Sequence, residues 1–447
     1  MIKNLIFIIS IILCIIPLNA EENLTIYNDN FAVFRTKLEI QLEKGLQSYL
    51  YSDIPAQIEP ISLIFKSKDD KIKLHSQNYE YDLANSDTIL NKYLNSNITV
   101  CLKDNSEYSG TLTFFDFNAI GLQDDKSKEL YLINKSEFKS IKLANLPGNF
   151  YIKPTLNWLL DSPAKGKYPI DISYITKGLS WFITYNAVLK NNTLQISPWV
   201  SINNHSGRSY NSVNLKLLAG DVAKRDNYRR SDKLNVMEMT AMGSPTFQEK
   251  DFSDYHLYTL DQKASVADKQ VKQMLLFEPK TVNVKKIYKY QSNALADNKV
   301  QSVITFKNSK KNGLGIPLPT GIVKVYQVDD SDGNLEFIGE DNISHTSLDQ
   351  EVSVNIGNAF DIIAKTKIVK DNTIRNDREQ EFELTIENKK KEAIKIFIMH
   401  TIGYNDYQII EKNFDFINTD AYTITIEKNI KGGETAILRW VQRVKRR

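Results

Sequence analysis

Cysteine is nearly absent. The chain has two, Cys14 and Cys101, and Cys14 falls in the leader described below. The single thiol left after that leader closes no intrachain disulfide, which excludes the cross-linked class of small exported domains. The fold must therefore rest on hydrophobic cores. An excess of one charge sign is missing too: 57 basic and 54 acidic residues give a formal charge of +3. That is far from the basic field of a nucleic-acid binder, so no nucleic-acid partner is expected. No second long apolar run follows the leader, so no further membrane span is expected. Histidine is scarce, with His75, His205, His256, His345 and His400 making the five. No two share a metal-ligand spacing, and no His-Glu-x-x-His motif occurs. A Gly-x-Ser-x-Gly elbow, a phosphate-cradling glycine loop and a dinucleotide fingerprint are also missing, and no cofactor is expected.

What is present begins with an address. Residues 1–20 read MIKNLIFIISIILCIIPLNA. Lys3 supplies the positive start, Leu5 to Ile16 the apolar run, and Pro17 and Ala20 the approach to cleavage, as in a secretory signal peptide. The mature chain then starts at Glu21 and is exported, either periplasmic or associated with the cell surface or outer membrane. Leu18 stands where a small residue is preferred, so an uncleaved membrane anchor is the alternative. Leu13 before Cys14 excludes a lipoprotein site. At the other end, RWVQRVKRR holds Arg439, Arg443, Lys445, Arg446 and Arg447. It reads as a solvated basic tail, with contact to anionic lipid or polymer as the alternative.

Period-two alternation dominates the rest, which predicts an all-β, multi-domain chain. Residues 21–85 read as N-terminal strands, with Asn28-Asp29-Asn30 as a hairpin turn and Gly45 ending the second strand. Residues 86–146 read as a small β-barrel. Within it Ile98, Val100 and Leu102 alternate with polar residues, and Gly110 suggests a tight bend. Cys101 reads as a packed small residue. Only Asp87 to Leu94 has helical period. Residues 147–221 form the first part of a β-sandwich region, 222–251 an exposed connector, and 252–447 a C-terminal β-sandwich region. Asn191-Asn192, Asp332-Gly333 and Gly432-Gly433 read as hairpin turns.

Two stretches resemble known families. NITVCLKDNSEYSGTLTFFDFNAIGL is similar to the Sm-like and SH3-like small barrels. Asp116 and Asn118 match the acid-then-amide loop with which those barrels hold RNA. The Arg-Gly that follows in RNA-binding members is replaced by Asn134-Lys135, so the resemblance implies a spacer or interaction module. Further on, LPGNFYIKPTLNWLLDSPAKGKYPIDISYITKGLSWFITYNAVL and WVSINNHSGRSYNSVNLKLLAGDV, then GIPLPTGIVKVYQ, IGEDNISHT and IGNAFDI, stand in this order. They resemble the bacterial domain of unknown function 4139 family, with its mucoidy-inhibitor-like relatives. The resemblance covers roughly 150 to 447 and implies an exported β architecture with an envelope role, and no activity.

The residues themselves give modest site expectations. Trp181 and Tyr185 share a strand face and read as core anchors. Pro317 and Pro319 read as stiffeners of an extended segment. Asn203, Asn204, His205 and Gly207 read as a loop, the candidate binding site. Met237, Met239 and Met242 are a thioether cluster of the kind that holds Cu(I), against a plain apolar patch. Glu340 and Asp341 with His345 are the acids of a candidate divalent site, against a solvated rim. The acidic run from Asp329 to Gly333 is out of register for calcium. The expectation is a non-enzymatic binding or structural module for an envelope protein or surface polymer. The alternatives are an envelope-acting hydrolase, with Asp171, Glu340, Asp341, His205 and His345 as first residues to change, and a copper binder.

Overall fold

The computed structural model describes residues 21–68, 71–81, 86–143, 151, 153–220, 222–223, 247–292, 299–375, 377–402 and 406–445. The expected leader, the methionine cluster and most of the expected connector lie outside the described residues. Strands make up 66% of the chain and helix 4%, so the fold is all-β with several sheets.

The alternation read from the sequence is the burial pattern of the strands. Leu179–Lys190 alternates buried and half-buried residues as far as Leu189, as does much of its partner Thr193–Asn204. Asn191, in the left-handed region at φ 54°, turns the chain between them. These two strands lie in a six-stranded sheet with Gln270–Leu275, Lys280–Asn283, Gly321–Val328 and Leu335–Ile343. An eight-stranded sheet faces it. That sheet runs Phe247–Phe252, Tyr255–Leu260, Tyr210–Ala219, Asn23–Tyr27, Phe31–Leu42, Gly166–Lys177 and Ile64–Ser67, with Ala264–Val266 beside Tyr210–Ala219. One contiguous core joins them, built on Leu24, Phe34, Tyr174, Trp181, Ile183 and Leu217 among others. The N-terminal strands are thus part of the sandwich. Asn23–Tyr27 is an inner strand, paired parallel to Tyr210–Ala219. Gly45 opens the strand Gly45–Tyr51 and does not end the one before it.

A three-stranded sheet places Thr155–Ser162 between Gly45–Tyr51 and Lys73–Glu80. Trp158 stacks there on Tyr49 and Tyr51 at 6.1 and 5.5 Å, with Phe65 edge-on at 5.1 Å. The unit at 86–143 is inserted between two of these hydrogen-bonded neighbours, Lys73–Glu80 and Thr155–Ser162. The helix Ser86–Lys92 opens it. Five antiparallel strands follow, in spatial order Phe138–Leu143, Asn97–Leu102, Glu107–Phe115, Ala119–Gln123 and Leu130–Asn134. Leu90 and Tyr93 pack on Ile98, Val100, Leu112, Ile120 and Leu122 to give the unit its own core. Cys101 is buried and its thiol donates to Glu107 Oε1 at 3.1 Å. At Gly110 a β-carbon would run into the Gln123 carbonyl, which is why the bend needs glycine.

The second sandwich packs six strands, Glu351–Asn358, Gln301–Lys307, Lys285–Ser292, Ile394–Thr401, Thr423–Ile430 and Ile417–Asn418, against four. The four are Ile362–Ile374, Asp377–Asn388, Thr435–Lys445 and Tyr407–Lys412. Gln301–Lys307 has five successive buried residues, and its Ile304 and Phe306 belong to the first core. Gly432-Gly433 does not close a hairpin. It carries the chain from the six-stranded sheet to the four-stranded one.

The basic C-terminal run is a correction as well. Arg439, Arg443 and Lys445 lie in an inner strand, Thr435–Lys445, and not in a solvated tail. Arg439 binds Glu383 and Arg443 binds Glu379, each carboxylate directly across the ladder, while Lys367 reaches Glu383 from the other side. The cations are therefore matched by acids alternating on the neighbouring strand. Arg446 and Arg447 lie outside the described residues.

Under this ladder His400 is buried at 2% exposure, edge-on to Phe382 and Trp440 at 5.0 and 4.8 Å. Its Nδ1 lies 2.8 Å from the Ser292 carbonyl and its Nε2 3.0 Å from Gln442 Oε1. Two acceptors would suit an imidazolium. Burial works against that charge and prevails, holding the pKa below the ordinary 6.5. The neutral ring donates from Nδ1 to Ser292, and a half-turn of the Gln442 amide brings its NH2 to Nε2. A folded pKa below the unfolded one means that the unfolded chain takes up more protons. The stability this ring contributes is complete above about pH 6.5 and is lost as pH falls through that value toward the folded pKa. Urea unfolding of wild type and His400→Gln across this range is expected to show a shallower acid loss in the variant. Equal slopes would assign the loss to other groups.

Candidate functional site

The loop after Thr193–Asn204 is bound into the fold. Asn204 is fully buried. Its Nδ2 donates to the Arg208 and Val266 carbonyls at 2.8 and 3.1 Å, and its Oδ1 accepts from Ser206 N and Oγ at 3.0 and 2.8 Å. Asn203 is buried too. His205 is exposed, but its backbone N–H donates to Gly178 and its carbonyl accepts from Gln57 Nε2 at 2.6 Å. Gly207 has φ +84°, and a β-carbon there would meet Ala56 Cβ at 2.5 Å. Its N–H donates to Asp268 Oδ1 at 2.9 Å. Contrary to the loop expected from the sequence, Asn203 and Asn204 are the last two residues of the strand Thr193–Asn204 and are buried, and the exposed His205 follows them in the loop.

The sequence reading missed the next residue. Arg208 is the only buried Lys, Arg, Asp or Glu among the described residues. It binds Asp53 through Nε and Nη2 at 2.9 and 2.7 Å, and Nη2 also reaches Glu22 at 2.8 Å. The guanidinium lies over the Phe34 and Tyr210 rings at 4.5 and 5.0 Å. Burial pushes the Tyr210 hydroxyl up to about 12 and raises those of Tyr51 and Tyr174, so the tyrosines stay neutral at pH 7. One cation and two carboxylates remain, and they tie Glu22 and Asp53 to this loop.

Trp181 and Tyr185 are buried, their polar ends satisfied by the Leu218 and Pro319 carbonyls at 3.2 and 2.7 Å. Tyr258 donates to the Pro317 carbonyl at 2.9 Å. The two prolines therefore sit on a segment fixed by two buried tyrosine hydroxyls.

The expected acids are not assembled. Asp341 accepts from the Asn342 and Asn355 N–H groups at 2.9 and 2.8 Å, and His345 Nδ1 accepts from Thr320 N at 3.2 Å. Glu340 is exposed. Asp329 accepts from Ser331 and shapes a polar turn that ends in Gly333 at φ 77°. Asp116 likewise accepts from the Asn118 and Ala119 N–H groups, which holds its carboxyl below the usual range. Asp171 sits on the solvent face between Lys37 and Lys66, in register, beside a shallow groove of about 310 Å³ that Arg35 also lines.

Two features do face solvent with chemistry to offer. The first is the edge of the inserted unit that has no ladder partner among the described residues. Leu130 and Leu132, at 56% and 68% exposure, alternate along its last strand, and Phe114, Gly121 and Leu132 stand side by side across three strands. Phe117, at 90% exposure, caps the adjoining turn. The second is the hairpin Phe247–Phe252 and Tyr255–Leu260. Five residues of the expected connector, 247–251, belong to its first strand. Glu249, Asp251 and His256 converge on it beside a groove of about 370 Å³. Cross-strand register brings them together, and only the short spacing of Glu249-x-Asp251 to His256 around a turn signals it in the sequence.

No family model matches the chain, and no curated protein matches it.

Proposed function

We propose that this chain is an exported, non-enzymatic module of the cell envelope that binds a partner protein through the free edge of its inserted unit. The observation that carries the reading is the strand Leu130–Asn134. Its outer edge has no ladder partner among the described residues, and two of its three outward side chains are leucines, Leu130 and Leu132. Sheet edges left open are normally guarded by charge, and the opposite edge of this same sheet has Lys139 and Lys142. An unguarded edge with alternating apolar side chains recognises an extended peptide strand by backbone hydrogen bonds and side-chain pockets. This chemistry favours a protein over a surface polymer. The five-strand order and leading helix support the SH3-like resemblance, read as an interaction module. The resemblance to the family of domain of unknown function 4139 and the leader-like residues 1–20 support an envelope address. No helix among the described residues is long and apolar enough to cross a membrane.

A Leu130→Lys, Leu132→Lys double variant is expected to keep the wild-type unfolding midpoint, because both side chains are already exposed. Its affinity for the envelope partner is expected to fall about tenfold or more. Full retention of binding in a folded double variant would remove this edge as the site.

A further inference from the structure

The hairpin at the end of the eight-stranded sheet has a second chemistry. Phe247, Glu249 and Asp251 point to one face of their strand by the two-residue period, and the register sets them opposite Leu260, Tyr258 and His256. The row passes from buried Phe247 and Tyr258 at the core to half-buried Glu249 and His256 and exposed Asp251 at the rim. His256 Nδ1 lies 2.8 Å from Glu249 Oε1 and 3.3 Å from Asp251 Oδ1, and the three ligand atoms all fall within 4.8 Å of one another.

One imidazole nitrogen does not satisfy two carboxylates. A neutral ring offers Nδ1 a single hydrogen, and even an imidazolium leaves one negative charge over. A divalent cation balances both carboxylates and takes the nitrogen lone pair. The spacing suits it. Ligands bound tetrahedrally at about 2.0–2.1 Å stand about 3.3 Å apart, as His256 and Asp251 already do. Glu249 needs to retreat by about half an ångström, which its flexible side chain allows. Glu249 also lines a groove with Phe247, Leu276, Phe277, Ile316 and Leu348.

We propose that Glu249, Asp251 and His256 form a binding site for one divalent transition-metal ion, with Zn²⁺ the best fit to one imidazole and two carboxylates. Hard ions such as Mg²⁺ and Ca²⁺ prefer six or more oxygen ligands and are not held here. The site is independent of the partner-binding edge.

The test is calorimetric titration of the metal-stripped full chain with Zn²⁺ at pH 7, with Mg²⁺ and Ca²⁺ as controls. Zn²⁺ also avoids the preference of thioether sulfur for Cu(I). One equivalent is expected to bind with micromolar or tighter affinity. His256→Gln and Asp251→Asn are each expected to weaken it about tenfold or more. Asp251 is 87% exposed, so its change leaves the fold intact even if the His256 variant does not fold. No one-equivalent Zn²⁺ binding in the wild type, or unchanged affinity in Asp251→Asn, overturns the proposal.

Discussion

Replacing Asn388 with alanine is expected to lower the unfolding free energy by about 3 kcal/mol, and Asn308→Ala by a similar amount. Both side chains are buried at the end of a strand, Asn388 at 1% exposure and Asn308 at 0%. Asn388 Nδ2 donates to the Glu392, Ile430 and Lys431 carbonyls at 2.9, 3.2 and 2.9 Å, while Oδ1 accepts from Lys390 N at 3.1 Å. Asn308 does the same in the other sheet. Its Nδ2 reaches Ile316, Ser347 and Thr346 at 2.8, 3.0 and 3.4 Å, and its Oδ1 accepts from Gly315 N at 3.1 Å. In each case one amide fastens the turn after its own strand to the loop that leads into the neighbouring strand. Alanine leaves several partly buried carbonyls and an N–H without partners, at about 1–3 kcal/mol for each group that water does not reach. Aspartate is expected to be no better, since it lacks the donors. Urea midpoints at unchanged m-value measure the loss. A cost below about 1 kcal/mol would mean that water replaces the amide.

Arg208→Met is expected to cost about 2–3 kcal/mol. Breaking a fully buried pair costs about 3–5 kcal/mol, and the figure is reduced here because Asp53 is 60% exposed and stays hydrated. Glu22, at 18% exposure, is the carboxylate left stranded. Methionine keeps much of the packing on Phe34 and Tyr210 and loses the charge and the fork. Arg208→Lys is expected to recover less than half of the loss, because an ammonium cannot reproduce the two-point contact with Asp53. If lysine restored full stability, charge alone would be the cause. If methionine cost nothing, the pair would be neutral against a hydrophobic replacement.

Strand identity was legible because alternation is local. Trp181 to Leu189, Leu194 to Ile202 and Val213 to Leu218 are all strands, and Asn191 turns where the sequence places a turn. Pairing was legible only across short turns. The parallel partners of Asn23–Tyr27, Leu179–Lys190 and Lys285–Ser292 come from 210–219, 321–328 and 394–401, separations over which one sequence gives no register. The same limit explains Gly432-Gly433, whose glycines mark a turn without saying that it changes sheets. Arg439 and Arg443 looked like tail residues because the glutamates that neutralise them lie about sixty positions earlier. One internal signal was available. Lys307-Asn308-Ser309-Lys310-Lys311 and Glu387-Asn388-Lys389-Lys390-Lys391 both end a strand, and the matching amide roles show this to be a repeated structural device. At the candidate site, Asn203 and Asn204 read as a polar loop, but they end a strand whose ladder partners, Leu179–Ser180 and Gln270–Val271, lie too far along the chain for their spacing to reveal. Glu249, Asp251 and His256 needed the hairpin register.

The most direct measurement of the binding reading is site-specific photocrosslinking in the producing cells. A photoreactive side chain at position 132 on the open edge is compared with one at position 142 on the guarded edge. The account predicts a reproducible adduct with an envelope protein from position 132, absent from position 142 and lost when Leu130 is changed to lysine. Equal labelling from both positions, or none from position 132, would contradict it.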